Sequence, residues 1–152
     1  MPKLYFEDFS PGQVLPLPSR HVTRAEIIAF AAEFDPQPFH LDEQSPQSKL
    51  VGGLIASGWH VSALFMRMIC EAFMIESSSM GSPGIETLKW QKPVRPGDTL
   101  SGSSTVLETR ASKSRPEMGI VRFHHEVVNQ TGEVVMWMEN PILFGSRDRS
   151  RQ

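Results

Sequence analysis

Residues 57–75, SGWHVSALFMRMICEAFMI, decide the fold of this chain. Apolar side chains occur at nearly every helical position, and only His60, Arg67 and Glu71 leave a narrow polar stripe. A helix that is apolar on almost all sides is normally buried. The stretch therefore predicts a central helix, capped by the Ser57 hydroxyl, with other elements packed around it.

The residues that follow this helix have the pattern of an antiparallel sheet. Val121, Phe123 and Val127 alternate with polar residues, which is typical of a strand with one buried face. Strands are predicted over residues 85–93, 100–109, 119–129 and 133–143. Helices followed by strands favour an α+β architecture over alternating βαβ units. The simplest assembly is a long antiparallel sheet wrapped around one buried central helix.

Before the central helix, the sequence predicts a shorter helix that ends next to an acidic residue. Thr23 and Glu26 form a capping box, and apolar residues then recur at the spacing of one helix face. Pro36 ends this helix because the residue before a proline is driven out of the α-helical region. That residue is Asp35, so its carboxylate is fixed at a helix exit.

Length and composition indicate one globular domain. The chain has 152 residues and a formal net charge of −2, unlike a strongly basic nucleic-acid-binding protein. Cys70 is the only cysteine, which excludes an internal disulfide and zinc sites with several thiolates. The sequence shows neither a signal-peptide pattern nor a membrane-spanning stretch. We expect a cytoplasmic domain over residues 1–146 and a flexible tail over 147–152, without membrane or nucleic-acid partners.

An acid and an imidazole flank two prolines in the stretch FDPQPFHLD, residues 34–42. Fully extended, the chain would place Asp35 and His40 about 17 Å apart, so a shared site requires a turn. The restricted φ angles of Pro36 and Pro38 favour one. Together the two side chains would suit general acid and base catalysis near neutral pH. The alternative is an exposed loop after a helix end, in which both are turn and cap residues, and spacing alone leaves both open.

This stretch, together with GLIASGWHVSALFMRM at residues 53–68 and KPVRPGDTL at residues 92–100, resembles the MaoC-like dehydratase family of (R)-specific enoyl-CoA hydratases. The resemblance extends from about Glu7 to Phe144. It implies the hot-dog fold, in which an antiparallel sheet wraps a long central helix and two subunits join their sheets in a homodimer. It also implies a coenzyme A thioester as substrate. We expect no further cofactor and no metal. Higher oligomers of dimers are left open.

The resemblance assigns the catalytic pair to Asp35 and His40, which would hold one water between them. The backbone N–H of Gly58, at the start of the central helix, would stabilise negative charge on the thioester carbonyl oxygen. The implied reaction is hydration of a trans-2-enoyl-CoA to a (3R)-3-hydroxyacyl-CoA, or the reverse dehydration. The sequence leaves open which member of the pair is the base, because the two can titrate as a unit.

Further residues are expected to bind the substrate: Gln37, Ser57, Trp59 and His60. Gln37 stands where the family has asparagine, so its amide is carried on a stem one methylene longer, which bears on the choice of substrate. For His60, a structural role on a buried helix is the stronger alternative. Basic side chains near strand ends are candidates for the phosphates of coenzyme A, or are simply solvated charges: Arg95, Arg110, Lys113 and Arg115.

Two other functions stay open at the level of sequence. A thioesterase on the same fold would need an acid on the central helix, and Glu71, the one carboxylate there, lies nearly four turns from Gly58. A non-catalytic module would bind an acyl thioester without turnover. A metal site that combines His40 and His60 with one of the two strand histidines, at 124 and 125, has no supporting ligand spacing.

Overall fold

The computed structural model describes residues 1–147. A short 3₁₀ helix at Phe6–Asp8 precedes strand β1 (Val14–His21) and helix α1 (Arg24–Phe34). Two short helices, α2 (Pro38–Leu41) and α3 (Pro46–Leu50), lead to the central helix α4 (Gly58–Ile69), which continues as a π-helical segment over Cys70–Met74. The strands that follow are β2 (Thr87–Trp90), β3 (Thr99–Ala111), β4 (Met118–Val128) and β5 (Val134–Gly145).

The five strands form one antiparallel sheet with the order β1-β3-β4-β5-β2. Side chains alternate across β4, and Val121, Phe123 and His125 are fully buried on its inner face. The Phe65 ring of α4 lies against His125, so the sheet and the central helix share this core. A five-stranded antiparallel sheet packed against a 17-residue helical segment confirms the predicted α+β architecture.

The central helix is covered on one side only, which differs from the all-round burial expected from its composition. Val61, Leu64 and Phe65 are buried, whereas Trp59 and Met66 are 60% and 45% exposed. The reason is geometric, because a single sheet covers one face of a helix and the other face needs a separate partner. We call the exposed side, marked by Trp59 and Met66, the outer face of α4.

The four predicted strands are present, although β2 is shorter than expected. Strand β1 was not predicted, because Pro16 and Pro18 interrupt the pattern of a strand. It lies at an edge of the sheet, where a missing N–H on the outer side costs no hydrogen bond. The prolines that concealed this strand in the sequence are therefore compatible with its position.

The C-terminal end of the described chain is bound to the N-terminal segment. The guanidinium of Arg147, which we had placed in the flexible tail, donates to Asp8 at 2.7 Å and lies over the Tyr5 ring. The rest of that predicted tail, residues 148–152, lies outside the described residues. Across residues 1–147, no helix has the length and hydropathy that crossing a bilayer requires.

A buried polar network lies between the sheet and α4. The Ser104 hydroxyl donates to His125 Nδ1 at 2.7 Å, and His125 Nε2 donates to Asn140 Oδ1 at 2.9 Å. This direction follows from Asn140 itself, whose Nδ2 donates to the Ser82 hydroxyl. Burial lowers the pKa of His125 to about 4, so the ring is neutral near pH 7. The adjacent His124 points to the outer face of the sheet.

Candidate active site

Asp35 and His40 lie side by side, although they are five residues apart in the sequence. Asp35 is the C-cap residue of α1, and Pro38 occupies the first turn of α2, which folds the chain back. His40 Nε2 is consequently 3.2 Å from Asp35 Oδ2. The segment thus forms a compact carboxylate–imidazole dyad instead of an extended loop.

A backbone carbonyl fixes the ring of His40. Its Nδ1 is 2.7 Å from the carbonyl oxygen of Ile55, which can only accept a hydrogen bond, so Nδ1 carries a proton. The His40 side chain is only 6% exposed, and this bond sets its orientation within the protein. Nε2 is therefore the nitrogen that faces Asp35.

Both carboxylate oxygens of Asp35 accept hydrogen bonds. Gln37 Nε2 donates to Oδ1 at 2.6 Å, and the Ser57 hydroxyl donates to Oδ2 at 2.7 Å. These two bonds, with the nearby His40, hold the pKa of the Asp35 carboxyl below its usual value, against the opposing effect of burial. Asp35 is therefore ionised at neutral pH. The structure places Gln37 and Ser57, both predicted to bind substrate, in direct contact with the acid.

Ser57 connects this acid to the start of the central helix. It is fully buried, and its hydroxyl oxygen accepts the N–H of Trp59 at 3.2 Å as the N-cap of α4. Gly58 is the first residue of α4, so its N–H has no carbonyl one turn earlier to bind. Within residues 1–147 no other acceptor is bonded to it either. The free N–H and the positive end of the helix dipole suit an oxygen that carries negative charge.

The indole of Trp90 accounts for the lack of a side chain at Gly58. A Cβ at this position would lie 2.6 Å from the indole ring, so Trp90 covers the glycine directly. Gly58 and His40 line the same cavity, which has a volume of about 240 Å³. Trp90, Val61 and Val135 supply apolar walls. His40 and the first residue of α4 therefore border the same small cavity.

Trp59 and His60 lie outside this cavity. Trp59 is on the outer face of α4, where its ring packs edge-on against Trp90. His60 is stacked on Phe30 of α1, with 4.8 Å between ring centroids, and its Nε2 is 3.4 Å from Glu26. Burial lowers the pKa of His60. In the structure, His60 joins α1 to α4 and is not brought to the dyad.

Two residues of the site were not found by sequence reasoning. Ile55 contributes its backbone carbonyl, and the residue type carries no signal of that use. Trp90 lies in a strand, where an aromatic residue is typical of ordinary sheet packing. Its approach to Gly58 depends on how β2 packs on α4, which only the tertiary structure shows.

The side chains considered for other functions lie elsewhere or have partners. Glu71 lies in the π-helical segment after α4 and is ion-paired with Arg67, and Arg95 donates to a backbone carbonyl. Arg115 is also ion-paired, whereas Arg110 and Lys113 are exposed. In the part of the chain that the structure describes, no three histidine, cysteine or acidic side chains are grouped as metal ligands.

Comparison with known proteins identifies the family. The family model described as MaoC like domain matches residues 8–129. A MaoC-like dehydratase of known structure from Rhodospirillum rubrum is 40% identical, with a TM-score of 0.84, and the match covers 95% of this chain and 98% of that one. An (R)-specific enoyl-CoA hydratase from the same organism is 31% identical over 148 residues, which cover 94% of this chain and 93% of the relative.

A more distant structure identifies the fold. A Mycobacterium tuberculosis protein with a double hot-dog fold is 18% identical and gives a TM-score of 0.80. The match covers 97% of this chain and 46% of that protein, so this chain corresponds to one of its two hot-dog units. The chain therefore belongs to the MaoC-like dehydratase family and has the hot-dog fold.

Proposed function

We propose that this protein is a hydro-lyase that hydrates a trans-2-enoyl-CoA to a (3R)-3-hydroxyacyl-CoA, or catalyses the reverse dehydration. The observation that carries this proposal is the cavity lined by both His40 and Gly58, with Asp35 3.2 Å from the His40 ring. Water addition to an enoyl thioester requires an acid–base pair and a site for an oxyanion. The similarity to a relative named as an (R)-specific enoyl-CoA hydratase supports the same reaction.

In the proposed reaction, Asp35 and His40 hold one water next to C3 of the substrate. The Asp35 carboxylate accepts a proton from this water as the oxygen bonds to C3. The electrons of the C2–C3 double bond move toward the thioester, and His40 Nε2 delivers a proton to C2. The proton on Asp35 then returns to His40 across their direct contact, so that one water is added and the pair regains its starting state.

Gly58 has a separate task in this reaction. When water adds to C3, negative charge develops on the carbonyl oxygen of the thioester. Gly58 lines the cavity at the start of α4, so its free N–H would bind this oxygen. Loss of one such donor typically costs about 3 kcal/mol of transition-state stabilisation.

We also propose that the working unit is a homodimer. Within the described chain, β2 is one edge of the sheet, and its Trp90 contacts Trp59 on the outer face of α4. The opposite edge, β1, is protected against pairing by its prolines, whereas β2 contains none. Two-fold pairing through β2 would extend the sheet and cover the outer face of α4. The cavity wall at Trp90 would then lie next to the interface.

The decisive experiment is to mix the purified protein with crotonyl-CoA and longer trans-2-enoyl-CoAs. Hydration removes the conjugated enoyl thioester, so its ultraviolet absorbance falls, and chiral analysis of the product checks the (3R) configuration. Asp35→Asn keeps the size of the side chain but removes the base, and we expect kcat to fall about a hundredfold or more. The fold should persist.

Asp42→Asn is the matched control, because Asp42 is an exposed acid in the same segment that does not contact His40. It should keep the activity of the unmodified protein. Full activity in Asp35→Asn, or no hydration of any enoyl-CoA by the folded protein, would overturn the proposal. Release of free thiol instead would indicate a thioesterase.

A further inference from the structure

A second apolar cavity is lined by residues that contact the indole of Trp90. It has a volume of about 290 Å³, and α4 lines it with Trp59, Ser62 and Met66. Leu88 of β2 lines it as well. Leu88 and Trp90 are two residues apart and therefore lie on the same face of the strand. The two cavities are thus neighbours along both α4 and β2.

Trp90 lines the cavity of His40 and contacts two residues that line the second cavity. On one side, its ring covers Gly58, which lines the same cavity as His40. On the other side, its Nε1 donates to the Ser62 hydroxyl at 3.2 Å, and its ring meets the Trp59 ring with 5.1 Å between centroids. Ser62 and Trp59 both line the second cavity. We call the indole, which is 43% exposed and has one hydrogen bond, the partition, because it contacts residues of both cavities.

The cavity lined by His40 is small when this partition is in place. Its volume of about 240 Å³ is below the roughly 300–1,000 Å³ that is usual for pockets of drug-sized ligands. If the thioester carbonyl oxygen accepts the N–H of Gly58, the acyl chain would meet the indole a few carbons beyond that carbonyl. Without the ring, the space would continue past Ser62 and Leu88 into the second cavity, whose apolar walls suit additional methylene groups.

We propose that Trp90 is a specificity-determining residue that limits the protein to enoyl-CoA substrates with short acyl chains. The inference rests on the proposed function, because it assumes an acyl thioester in the cavity of His40. It assigns to the indole the role of an end wall. Replacing the ring by a smaller side chain joins the two cavities and admits chains of about eight carbons.

The test compares kcat/KM for crotonyl-CoA and trans-2-octenoyl-CoA in the unmodified protein and in Trp90→Val, which keeps a side chain suited to a strand. We expect the unmodified protein to prefer crotonyl-CoA. Trp90→Val should raise the octenoyl-to-crotonyl ratio by about tenfold or more, the size of effect known for hydrophobic pockets that accept extra methylenes. An unchanged ratio, or a preference of the unmodified protein for octenoyl-CoA, would overturn the proposal.

Trp137→Val is the matched control, since it removes an indole from the outer face of β5, where Trp137 stacks on His124 away from both cavities. It should leave the ratio unchanged.

A second readout does not depend on turnover. Calorimetry gives the affinities for butyryl-CoA and octanoyl-CoA, which are saturated and cannot be hydrated. We expect Trp90→Val and Trp90→Ala to gain affinity for octanoyl-CoA relative to butyryl-CoA. This gain without any hydration of enoyl-CoA would overturn the proposed function but support the partition. Unchanged relative affinities in both variants would overturn the partition.

Discussion

The side-chain amide of Gln37 donates to Asp35 Oδ1 across 2.6 Å, a shorter contact than the carboxylate makes with His40. This bond favours the charged carboxylate, so Asp35 stays ionised, and can act as a base, down to a lower pH. In Gln37→Met, which keeps the length but removes the donor, the pKa of Asp35 should rise. We expect the acid limb of the pH profile of kcat/KM to move to higher pH, with little change in KM for crotonyl-CoA.

Gln47→Met is the control for this prediction, because Gln47 is an exposed glutamine of α3 outside the bonds to Asp35. Its profile should match that of the unmodified protein. A raised KM with an unmoved acid limb in Gln37→Met would contradict the role in positioning and favour direct contact with the substrate.

Ser57 and Ser45 are both buried N-cap residues, but only Ser57 donates to Asp35. Replacing either serine by alanine removes a cap bond and should lower the free energy of unfolding by about 1 kcal/mol. Only Ser57→Ala should also lower kcat, because Asp35 Oδ2 then loses a donor. Urea unfolding and crotonyl-CoA kinetics measure the two effects. Equal losses of activity in both variants would show that helix capping alone is responsible.

The outer face of α4 should bind a second copy of the chain. Met66 is 45% exposed at its centre, and Met66→Asp would place a charge in the proposed interface. We expect light scattering to give the mass of a dimer for the unmodified protein and of a monomer for Met66→Asp. Leu107→Asp, at a 37% exposed position on β3, should remain dimeric. A dimer that persists in Met66→Asp would contradict this interface.

His125 should make the stability of the protein depend on pH. The pKa of an exposed histidine, as in the unfolded chain, is about 6.5, whereas the pKa of His125 in the folded protein is about 4. The unfolded state therefore binds more protons between these values, and stability is lost as the pH falls from 6.5 toward 4, by roughly 3 kcal/mol in full. In His125→Phe, the difference in unfolding free energy between pH 7 and pH 4.5 should shrink. If the unfolding free energy changed equally between the two pH values in both proteins, His125 would not be the cause of the pH dependence.

The sequence predicted the elements whose signal is local. The capping box of Thr23 and Glu26 opens α1 as expected, and Pro36 ends it, since both effects act within a few residues. The alternation in β4 also has a local origin, because it follows from the pleat of the strand. These features needed no knowledge of distant parts of the chain.

The parts that sequence reasoning missed depend on distant contacts. The resemblance pointed to Asp35 and His40, but the bond from His40 to the Ile55 carbonyl depends on how residues far apart in sequence pack. The exposed outer face of α4 was not expected, because composition shows that a helix must be covered without showing which molecule covers it. Trp90 likewise carried no sign of its place above Gly58.

The contact between Gly58 and Trp90 also restricts the order in which the sequence can evolve. A methyl group at position 58 would lie 2.6 Å from the indole, so it is tolerated only after residue 90 has become smaller. A smaller residue at position 90, in contrast, requires no prior change at position 58. The effects of the two substitutions are therefore not additive, and only one of the two mutational paths to the double variant avoids an intermediate with a steric clash.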